Sequence, residues 1–305
     1  MDVNGKEPRN PGPSWSFALF RFGVRVLPLS LQYAGGWIGA SVAYWRMPAQ
    51  RNHSRAYLEA ILQRPPLRRE VWKHFYTFTL YLIAKVRAGV GKPVELVCEG
   101  SDREHAEILF GNDPMLLGTF HVGASDLLGF HIGETGRRVC MVRMRVGNSG
   151  DLDALAHSLG DAVRFIWVND PGQLLLSLGE ALRSSDTIAM QCDRIDHTGR
   201  KEVFDFLGKP RIFRTSIYRL AWLFKRKVIF CVAVRDKGIH RFRIRVYPAF
   251  DGSGLDKKAH HMAAHRHFQG VLTWLDGLLK ENPYLWFNFL PLNPEVTSEN
   301  EGGRR

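Results

Sequence analysis

From Glu95 onward the chain alternates short apolar runs with stretches of helical periodicity, and this alternation constrains the fold more than any other feature. The runs typical of strands are PVELVCEG, PMLLGTFH, RRVCMVRMR, AVRFIWV, DTIAMQCD, KVIFCVAVRD and HRFRIRVYPAF. The stretches typical of helices are SDLLGFHIGET, DLDALAHSLGD, PGQLLLSLGEALRSS, RTSIYRLAWLFKR and KAHHMAAHRHFQGVLTWLDGLLKE. Strands that alternate with helices predict an α/β fold with a mostly parallel central sheet flanked by helices.

The length and composition predict one large core with an extension before it. A chain of 305 residues with 45% hydrophobic and 24% charged residues has the composition of a globular protein. Both ends are polar, and the first is also rich in proline and glycine. We therefore predict disordered ends at residues 1–13 and 293–305, a helical region at 14–92 and an α/β domain at 93–292.

The segment between Arg25 and Arg46 holds twenty uncharged residues, VLPLSLQYAGGWIGASVAYW. A bilayer-spanning helix needs about 20 residues, but the proline, glycines and polar residues here weaken that interpretation. The preceding WSFALFRFGVR interleaves aromatic residues with arginines, which is typical of a helix in the headgroup layer. A buried hairpin, an interfacial anchor and a span all remain open. We predict a membrane-associating helical region, which the helix LRREVWKHFYTFTLYLIAKVRAG completes.

The net charge of +12 fits an anionic membrane surface, an acidic carrier protein or nucleic acid. The basic residues are spread along the chain, and the sequence contains no recognisable zinc-finger or RRM motif, which argues against nucleic acid. The cysteines form no close pair, so they predict neither a zinc knuckle nor a disulfide framework. Cys140, Cys192 and Cys231 lie in strand-like runs and are expected to be buried, reduced thiols.

The strand PMLLGTF is followed by His121 and, five residues later, Asp126. Within one helix, residues five apart point about 140° away from each other, so the two side chains meet only if His121 lies in the loop. Gly123 supplies the backbone freedom for that. A carboxylate on one ring nitrogen would fix the tautomer, and the other nitrogen would act as a general base. The alternative is structural, with Asp126 capping the helix and His121 half-buried at the strand end.

A second group of histidines lies in KKAHHMAAHRHF. His261 and His265 are one helical turn apart, so they could form a metal pair. No carboxylate is nearby in the sequence, and a solvated basic face is favoured. The chain also contains no G-x-S-x-G nucleophile elbow.

The order of the motifs resembles the lysophospholipid acyltransferase superfamily, and in particular its lipid A lauroyl/myristoyl acyltransferase branch. H-x-x-x-x-D is followed by the arginines of VRMR, N-S-G-D-L-D, Q-C-D-R-I-D, F-D-F-L-G-K-P, RTSIYRLA and VIFCVAVR. The likeness covers roughly residues 15–290. It implies His121 as base and Asp126 as its partner, with these substrate-side residues: Arg143, Arg145, Asp193, Arg194, Phe206, Gly208 and Arg235.

Two features depart from the lipid A pattern. The chain closes with Tyr284-Leu-Trp286-Phe-Asn288-Phe-Leu, which resembles an uncharacterised side branch of predicted acyltransferases. Ser216, preceded by Arg214, stands where the lipid A branch usually has glycine. Both departures concern the acceptor and leave the catalytic pair unaffected, so lipid A itself is not carried over as the acceptor.

The resemblance implies an acyltransferase on the cytoplasmic face of a bacterial inner membrane. Acyl carrier protein is the expected donor and a lipid or glycolipid hydroxyl or amine the expected acceptor, and the chemistry requires no cofactor or metal. Two alternatives stay open, a thioesterase or lipase that uses water as the acceptor, and a non-enzymatic basic membrane-binding protein. The first predicts release of free fatty acid without lipid, and the second predicts no consumption of thioester.

Overall fold

The structure is a computed structural model that describes residues 14–111, 113–134, 136–144, 162–168, 171–184, 186–194 and 201–296. The helices are α1 Ser14–Val26, α2 Leu29–Arg46, α3 Pro48–Leu62, α4 Arg68–Gly89, α5 Ser101–Phe110, α6 Ser125–Glu134, α7 Pro171–Arg183, α8 Ser216–Phe224 and α9 Lys257–Glu281. The strands are β1 Glu95–Val97, β2 Met115–Thr119, β3 Val139–Arg143, β4 Val163–Trp167, β5 Thr187–Gln191, β6 Lys201–Phe206, β7 Lys209–Arg214, β8 Lys227–Lys237 and β9 Arg241–Phe250.

In the described part of the chain, the main sheet has seven strands in the order β1-β9-β8-β2-β5-β3-β4. Every neighbouring pair is parallel except β8 with β9. The central strand β2 is buried along its whole length, as expected for a parallel strand covered on both faces. The predicted α/β fold with a mostly parallel sheet flanked by helices is confirmed.

Strand order determines which loops meet. Strand β2 lies between β8 and β5, and β5 lies between β2 and β3. Because these strands are parallel, the segments that follow them emerge at the same edge of the sheet. The loop after β2 therefore lies beside the segment after β5, although 72 residues separate His121 from Asp193 in sequence.

Three elements, α5 and the two strands β6 and β7, were not predicted from the sequence. Helix α5 buries Ala106 and Leu109, which is too short an apolar stripe to stand out among its charged residues. In β6 the buried positions are Glu202, Phe204 and Phe206, so a buried carboxylate interrupts the apolar alternation that marks a strand. The predicted helix DLDALAHSLGD lies outside the described residues.

The predicted helical region before the sheet is helical, from α1 to α4. Helix α2 packs closely on α4 at Gly36, where an added Cβ would lie 2.9 Å from Ile83 Cδ1. Among the residues that the structure describes, no helix combines the length and apolar character needed to cross a membrane. Residues 1–13 and 297–305 lie outside the described chain, whereas residues 293–296 pair with β7.

Candidate active site

His121 lies in a loop between β2 and α6, as the sequence predicted. Its carbonyl oxygen accepts a hydrogen bond from the Phe287 N–H at 2.6 Å, and the Gly123 N–H donates to the Leu285 carbonyl at 3.0 Å. Val122 and Trp286 form the antiparallel bridge between these two bonds. The C-terminal segment thus pairs with the loop like a short added strand.

Gly123 is required by the close approach of this loop to β8. Its φ is +61°, and an added Cβ would lie 2.1 Å from the Ala233 carbonyl oxygen. The next residue, Ala124, donates its N–H to that same oxygen at 2.7 Å. Only glycine meets both conditions, so the loop leaves β2 in one defined direction and presents His121 before the first turn of α6.

The carboxylate that contacts His121 in the structure belongs to Asp193. Its Oδ1 lies 2.7 Å from His121 Nδ1, and its Oδ2 accepts the His121 backbone N–H at 2.9 Å. A carboxylate accepts hydrogen bonds, so this contact assigns the ring proton to Nδ1 and leaves Nε2 as the basic nitrogen. The His121 side chain is 15% exposed and that of Asp193 is 1% exposed. The imidazole is thus partly exposed while its partner carboxylate is buried.

Asp193 is held ionised despite its burial. Burial raises the pKa of this carboxyl, but a charged His121 and hydrogen bonds from the His121 ring, the Trp286 indole and the His121 backbone lower it. The net result is a pKa below the usual value. A carboxylate kept ionised beside an imidazole stabilises the imidazolium that forms when the ring takes a proton.

Trp286 is a residue of the site that the sequence reading did not assign. Its indole N–H donates to Asp193 Oδ2 at 2.7 Å, and its carbonyl oxygen lies 2.9 Å from Nε2 of His74. Nδ1 of His74 lies 2.8 Å from the Ser54 hydroxyl oxygen. The sequence signal for this residue is the motif W-F-N-F, which differs from the lipid A pattern. From the sequence alone, this difference concerns the acceptor.

The other predicted residues are placed as follows. Arg143 ends β3, with its guanidinium carbon 5.5 Å from the centre of the Phe165 ring. Arg194 is half-buried next to Asp193, and its Nε has no hydrogen-bond partner among the described residues. Arg235 is exposed on β8, two residues beyond Ala233. Arg145 and the side chain of Asp126 lie outside the described parts of the chain.

Phe206 and Gly208 belong to the β6–β7 hairpin, which reaches the site through Trp286. Leu207 and Gly208 form its two-residue turn with φ of +55° and +74°. The ring of Phe206 is buried 5.7 Å from the Trp286 ring, nearly perpendicular to it. Phe206 therefore contacts the site indirectly, through the indole that bonds Asp193.

A narrow cleft of about 20 Å³, little more than the space of one water molecule, lies at the ends of β2 and β5 that lead to His121 and Asp193. It is lined by Leu117, Thr119, Ser125, Met141, Val142, Arg143, Ala189, Met190 and Gln191. Thr119 precedes His121 by two residues, and Gln191 precedes Asp193 by two. The cleft therefore ends close in sequence to the two residues of the pair. The lining is mainly apolar, with polar groups towards the strand ends.

The C-terminal histidines make structural contacts. Nδ1 of His267 lies 2.6 Å from the Tyr218 hydroxyl, its Nε2 lies 2.8 Å from the Pro248 carbonyl oxygen, and His265 stacks on Phe204. No group of three or more potential metal ligands occurs within the described ranges. The three strand cysteines are buried thiols, as predicted.

Comparison with known proteins identifies the family of the chain. The model of the family described as bacterial lipid A biosynthesis acyltransferase matches residues 8–287. No curated protein matches the chain. Among solved structures, the chain is similar to the 1-acyl-sn-glycerophosphate (LPA) acyltransferase PlsC from Thermotoga maritima, with 12% identity and a TM-score of 0.34, over 82% of this chain and 97% of that one. The family match spans nearly the whole described fold, so the chain belongs to the bacterial lipid A biosynthesis acyltransferases and is an acyltransferase of lipid biosynthesis.

Proposed function

We propose that the protein transfers a fatty acyl group from acyl carrier protein to a hydroxyl or amine of a lipid or glycolipid, with His121 as general base. The observation that carries this proposal is the His121–Asp193 pair, which leaves Nε2 of a partly exposed imidazole as its basic nitrogen. The pair lies at the carboxyl ends of parallel strands, where α/β proteins bind their substrates.

The reaction is a single transfer. Nε2 of His121 takes the proton of the acceptor hydroxyl or amine as that oxygen or nitrogen attacks the thioester carbon. The tetrahedral intermediate then collapses, the carbon–sulfur bond breaks, and the departing thiolate takes the proton from Nε2. The products are the acylated lipid and the free thiol of the carrier, and the histidine is returned to its starting state.

The carboxylate partner of His121 has two candidates. The sequence predicts Asp126 from its spacing, and that pairing stays a prediction. The observed hydrogen bonds favour Asp193, since its carboxylate holds both the ring Nδ1 and the backbone N–H of His121. We assign the orienting role to Asp193 on this basis.

The oxyanion of the intermediate needs a donor. The N–H groups of Gly123 and Ala124 already donate to the Leu285 and Ala233 carbonyl oxygens, which makes them poor candidates. We therefore assign this role to an arginine, with Arg194 as first choice. It follows Asp193 directly, and its Nε is buried without an acceptor among the described residues.

The cleft beside the pair is the proposed site for the acyl carbons nearest the thioester. Its lining by Leu117, Met141 and Ala189 suits a hydrocarbon chain. Arg143 at its edge would contact an anionic group of the donor or acceptor.

Filling this cleft should change the preferred acyl length. Ala189 is buried and faces the cleft, so Ala189→Leu adds three carbons there. We expect activity with long acyl donors to fall by about tenfold, which corresponds to about 1.4 kcal/mol, while short donors are affected less. Competition between acyl carriers of different chain length measures this ratio. An unchanged preference would place the acyl chain elsewhere.

Membrane association is proposed from the outer side of the first two helices. Eight large apolar side chains on α1 and α2 are exposed. Trp37 packs against Trp72, and the other seven form the N-terminal apolar face, which consists of Leu19, Phe22, Val26, Leu31, Ile38, Val42 and Trp45. Their spacing of three, four and seven residues places them in helical stripes. Arg25 and Arg46 lie in the last turns of the two helices, so basic side chains lie near the exposed apolar side chains. This pattern suits an anionic membrane surface, here the cytoplasmic face of the inner membrane.

The deciding experiment uses acyl carrier protein charged with a labelled fatty acid. The purified protein is incubated with it in the presence and absence of membrane lipid, and the products are identified by mass spectrometry. We expect the label in a lipid, and only when lipid is supplied. Lipid-independent release of free fatty acid would favour hydrolysis, and no loss of the thioester would favour a binding protein.

A further inference from the structure

A buried set of hydrogen bonds links the C-terminal segment to the proposed general base, and its central residue is Trp286. We propose that Trp286 is a positioning residue, whose indole N–H fixes the Asp193 carboxylate so that His121 keeps its proton on Nδ1 and presents Nε2 to the acceptor. This inference rests on the proposed function, because it assigns a role within the same reaction.

The first step concerns the hydrogen bonds that the two oxygens of the Asp193 carboxylate accept. Oδ1 contacts the ring Nδ1 of His121 at 2.7 Å, while Oδ2 accepts both the His121 backbone N–H at 2.9 Å and the Trp286 indole N–H at 2.7 Å. The indole is the one of these donors that lies outside His121. It therefore ties the carboxylate to the C-terminal segment as well as to the histidine.

The second step is the fixation of Trp286 itself. Its carbonyl oxygen can only accept, so Nε2 of His74 carries the proton at 2.9 Å. Nδ1 of His74 then accepts from the Ser54 hydroxyl at 2.8 Å. All three residues are buried, which makes these bonds difficult for water to replace.

The third step concerns the orientation of the indole ring. The Tyr57 ring lies 5.0 Å from it and the Phe206 ring 5.7 Å from it, both in edge-to-face contact. The backbone bridge between Trp286 and Val122 joins the same residue to the loop of His121. Trp286 thus holds the loop through its backbone and the carboxylate through its side chain.

Through these contacts, the tryptophan of the W-F-N-F motif has a role in the proposed reaction. Without the indole donor, Oδ2 of a 1% exposed carboxylate retains only the backbone N–H of His121. The carboxylate can then rotate together with the imidazole, and the ring can exchange its proton between Nδ1 and Nε2. The base would spend part of its time with the wrong nitrogen facing the acceptor.

The test compares the wild type with Trp286→Phe, which keeps an aromatic ring and removes the N–H. The first readout is the 15N chemical shifts of the His121 ring, which report the tautomer and do not depend on activity. We expect the Nδ1–H tautomer in the wild type and a mixture in the variant. The second is steady-state kinetics, where kcat should fall by roughly 10- to 100-fold with KM nearly unchanged, since a hydrogen bond to a charged group is lost.

Two control variants separate positioning from a general loss of stability. Phe213→Leu truncates a buried ring that contacts Phe204, Phe206 and Phe268 but is not bonded to Asp193. It should lower the melting temperature and leave the His121 tautomer unchanged. Tyr57→Phe keeps the ring that contacts the indole and removes a hydroxyl with no hydrogen-bond partner among the described residues, so it should leave the His121 tautomer unchanged.

If Trp286→Phe does not fold, benzothienylalanine at position 286 replaces the indole N–H with sulfur at nearly the same volume, and the same two readouts apply. An unchanged His121 tautomer in a folded variant without the N–H would overturn the proposal. Absence of acyl transfer by the wild type would refute the proposed function instead, and the tautomer measurement would still decide what Trp286 does to His121.

Discussion

At the scale of single residues, His121 has one Nδ1 and two carboxylates that could hold it. Asp126 is five residues away in sequence, whereas Asp193 is 72 residues away and in contact at 2.7 Å. A ring nitrogen that donates one short hydrogen bond has no second proton to offer another carboxylate. The two assignments therefore exclude each other at this nitrogen.

We predict that Asp193→Asn disrupts the His121 tautomer and lowers kcat by about 100-fold or more, since general-base catalysis contributes roughly 10² to 10⁴. The amide can offer an N–H to the ring, which would favour the opposite tautomer. Asp126→Asn is the matched variant and should leave the ring tautomer as in the wild type. If Asp126→Asn loses the Nδ1–H tautomer of His121 and Asp193→Asn keeps it, the partner role belongs to Asp126.

The sequence could predict part of this site. The sequence required a loop position of His121 for contact with Asp126 and named Gly123 as the residue that allows it, and the structure has His121 in that loop. The contact with Asp193 depends on β5 lying beside β2. The order of strands in a sheet cannot be predicted from the pattern of apolar and polar residues within each strand. The role of Trp286 depends in addition on a C-terminal segment that returns to pair with the loop.

At the scale of elements, the buried His74 on α4 links this helix to Ser54 on α3 and to the C-terminal segment. Burial lowers the pKa of His74 to about 4, against a smaller opposing effect of its bond to the Trp286 carbonyl. In the unfolded chain the ring takes up a proton below about pH 6.5, whereas in the folded protein it does so only near pH 4. The stability from this site is therefore complete above pH 6.5 and is lost as the pH falls towards 4.

We predict that the free energy of unfolding of the wild type decreases between pH 7 and pH 4 by about 3 kcal/mol more than that of His74→Gln, which has no ring to protonate. Chemical denaturation at a series of pH values measures both. The variant should be less stable at pH 7, because it disturbs the bonds to Ser54 and Trp286. Parallel pH curves for the two proteins would show that His74 is not protonated selectively in the unfolded chain.

The first two helices present a different question, because their outer side is apolar and exposed. Phe22 is 63% exposed and Ile38 is 58% exposed, so a charge at either position should not disturb the core. We predict that Phe22→Glu together with Ile38→Glu weakens binding to vesicles containing anionic lipid by at least about tenfold, through lost apolar burial and added repulsion. Co-sedimentation with vesicles of defined composition measures the binding.

Leu176→Glu provides the control for this prediction. Leu176 is 73% exposed on α7, so the variant adds the same charge to an equally accessible apolar position outside the N-terminal apolar face. It should bind vesicles like the wild type. Equal binding by the double variant and the control would show that the N-terminal apolar face is not the membrane contact.

Among the elements, those with clear periodicity were predictable and those without it were not. The alternating apolar runs identified the strands of the main sheet, and α9 was recognised from its length. The hairpin β6–β7 was missed because its inward positions include Glu202, whose buried carboxylate accepts a hydrogen bond from Thr215. That partner becomes visible only when β6 and the segment after β7 are placed side by side.

At the scale of the whole molecule, the loop of His121 is held by contacts from distant parts of the chain. Asp193 follows β5, Ala233 belongs to β8, and Trp286 follows the last helix. His74 on α4 extends these contacts into the helical region. Helix α2, which carries part of the N-terminal apolar face, packs on α4 at Gly36. The proposed membrane contact is thus connected through α4 to the residues around His121.

The central claim is that His121 acts as the base in transfer of an acyl group to a lipid, and His121→Ala tests it most directly. Labelled acyl carrier protein and membrane lipid are incubated with each protein, and the labelled lipid is quantified by mass spectrometry, with circular dichroism and vesicle binding as controls for the fold. We predict labelled lipid with the wild type and a loss of about 10²- to 10⁴-fold with a folded, vesicle-binding His121→Ala. Substantial transfer by that variant would contradict the account.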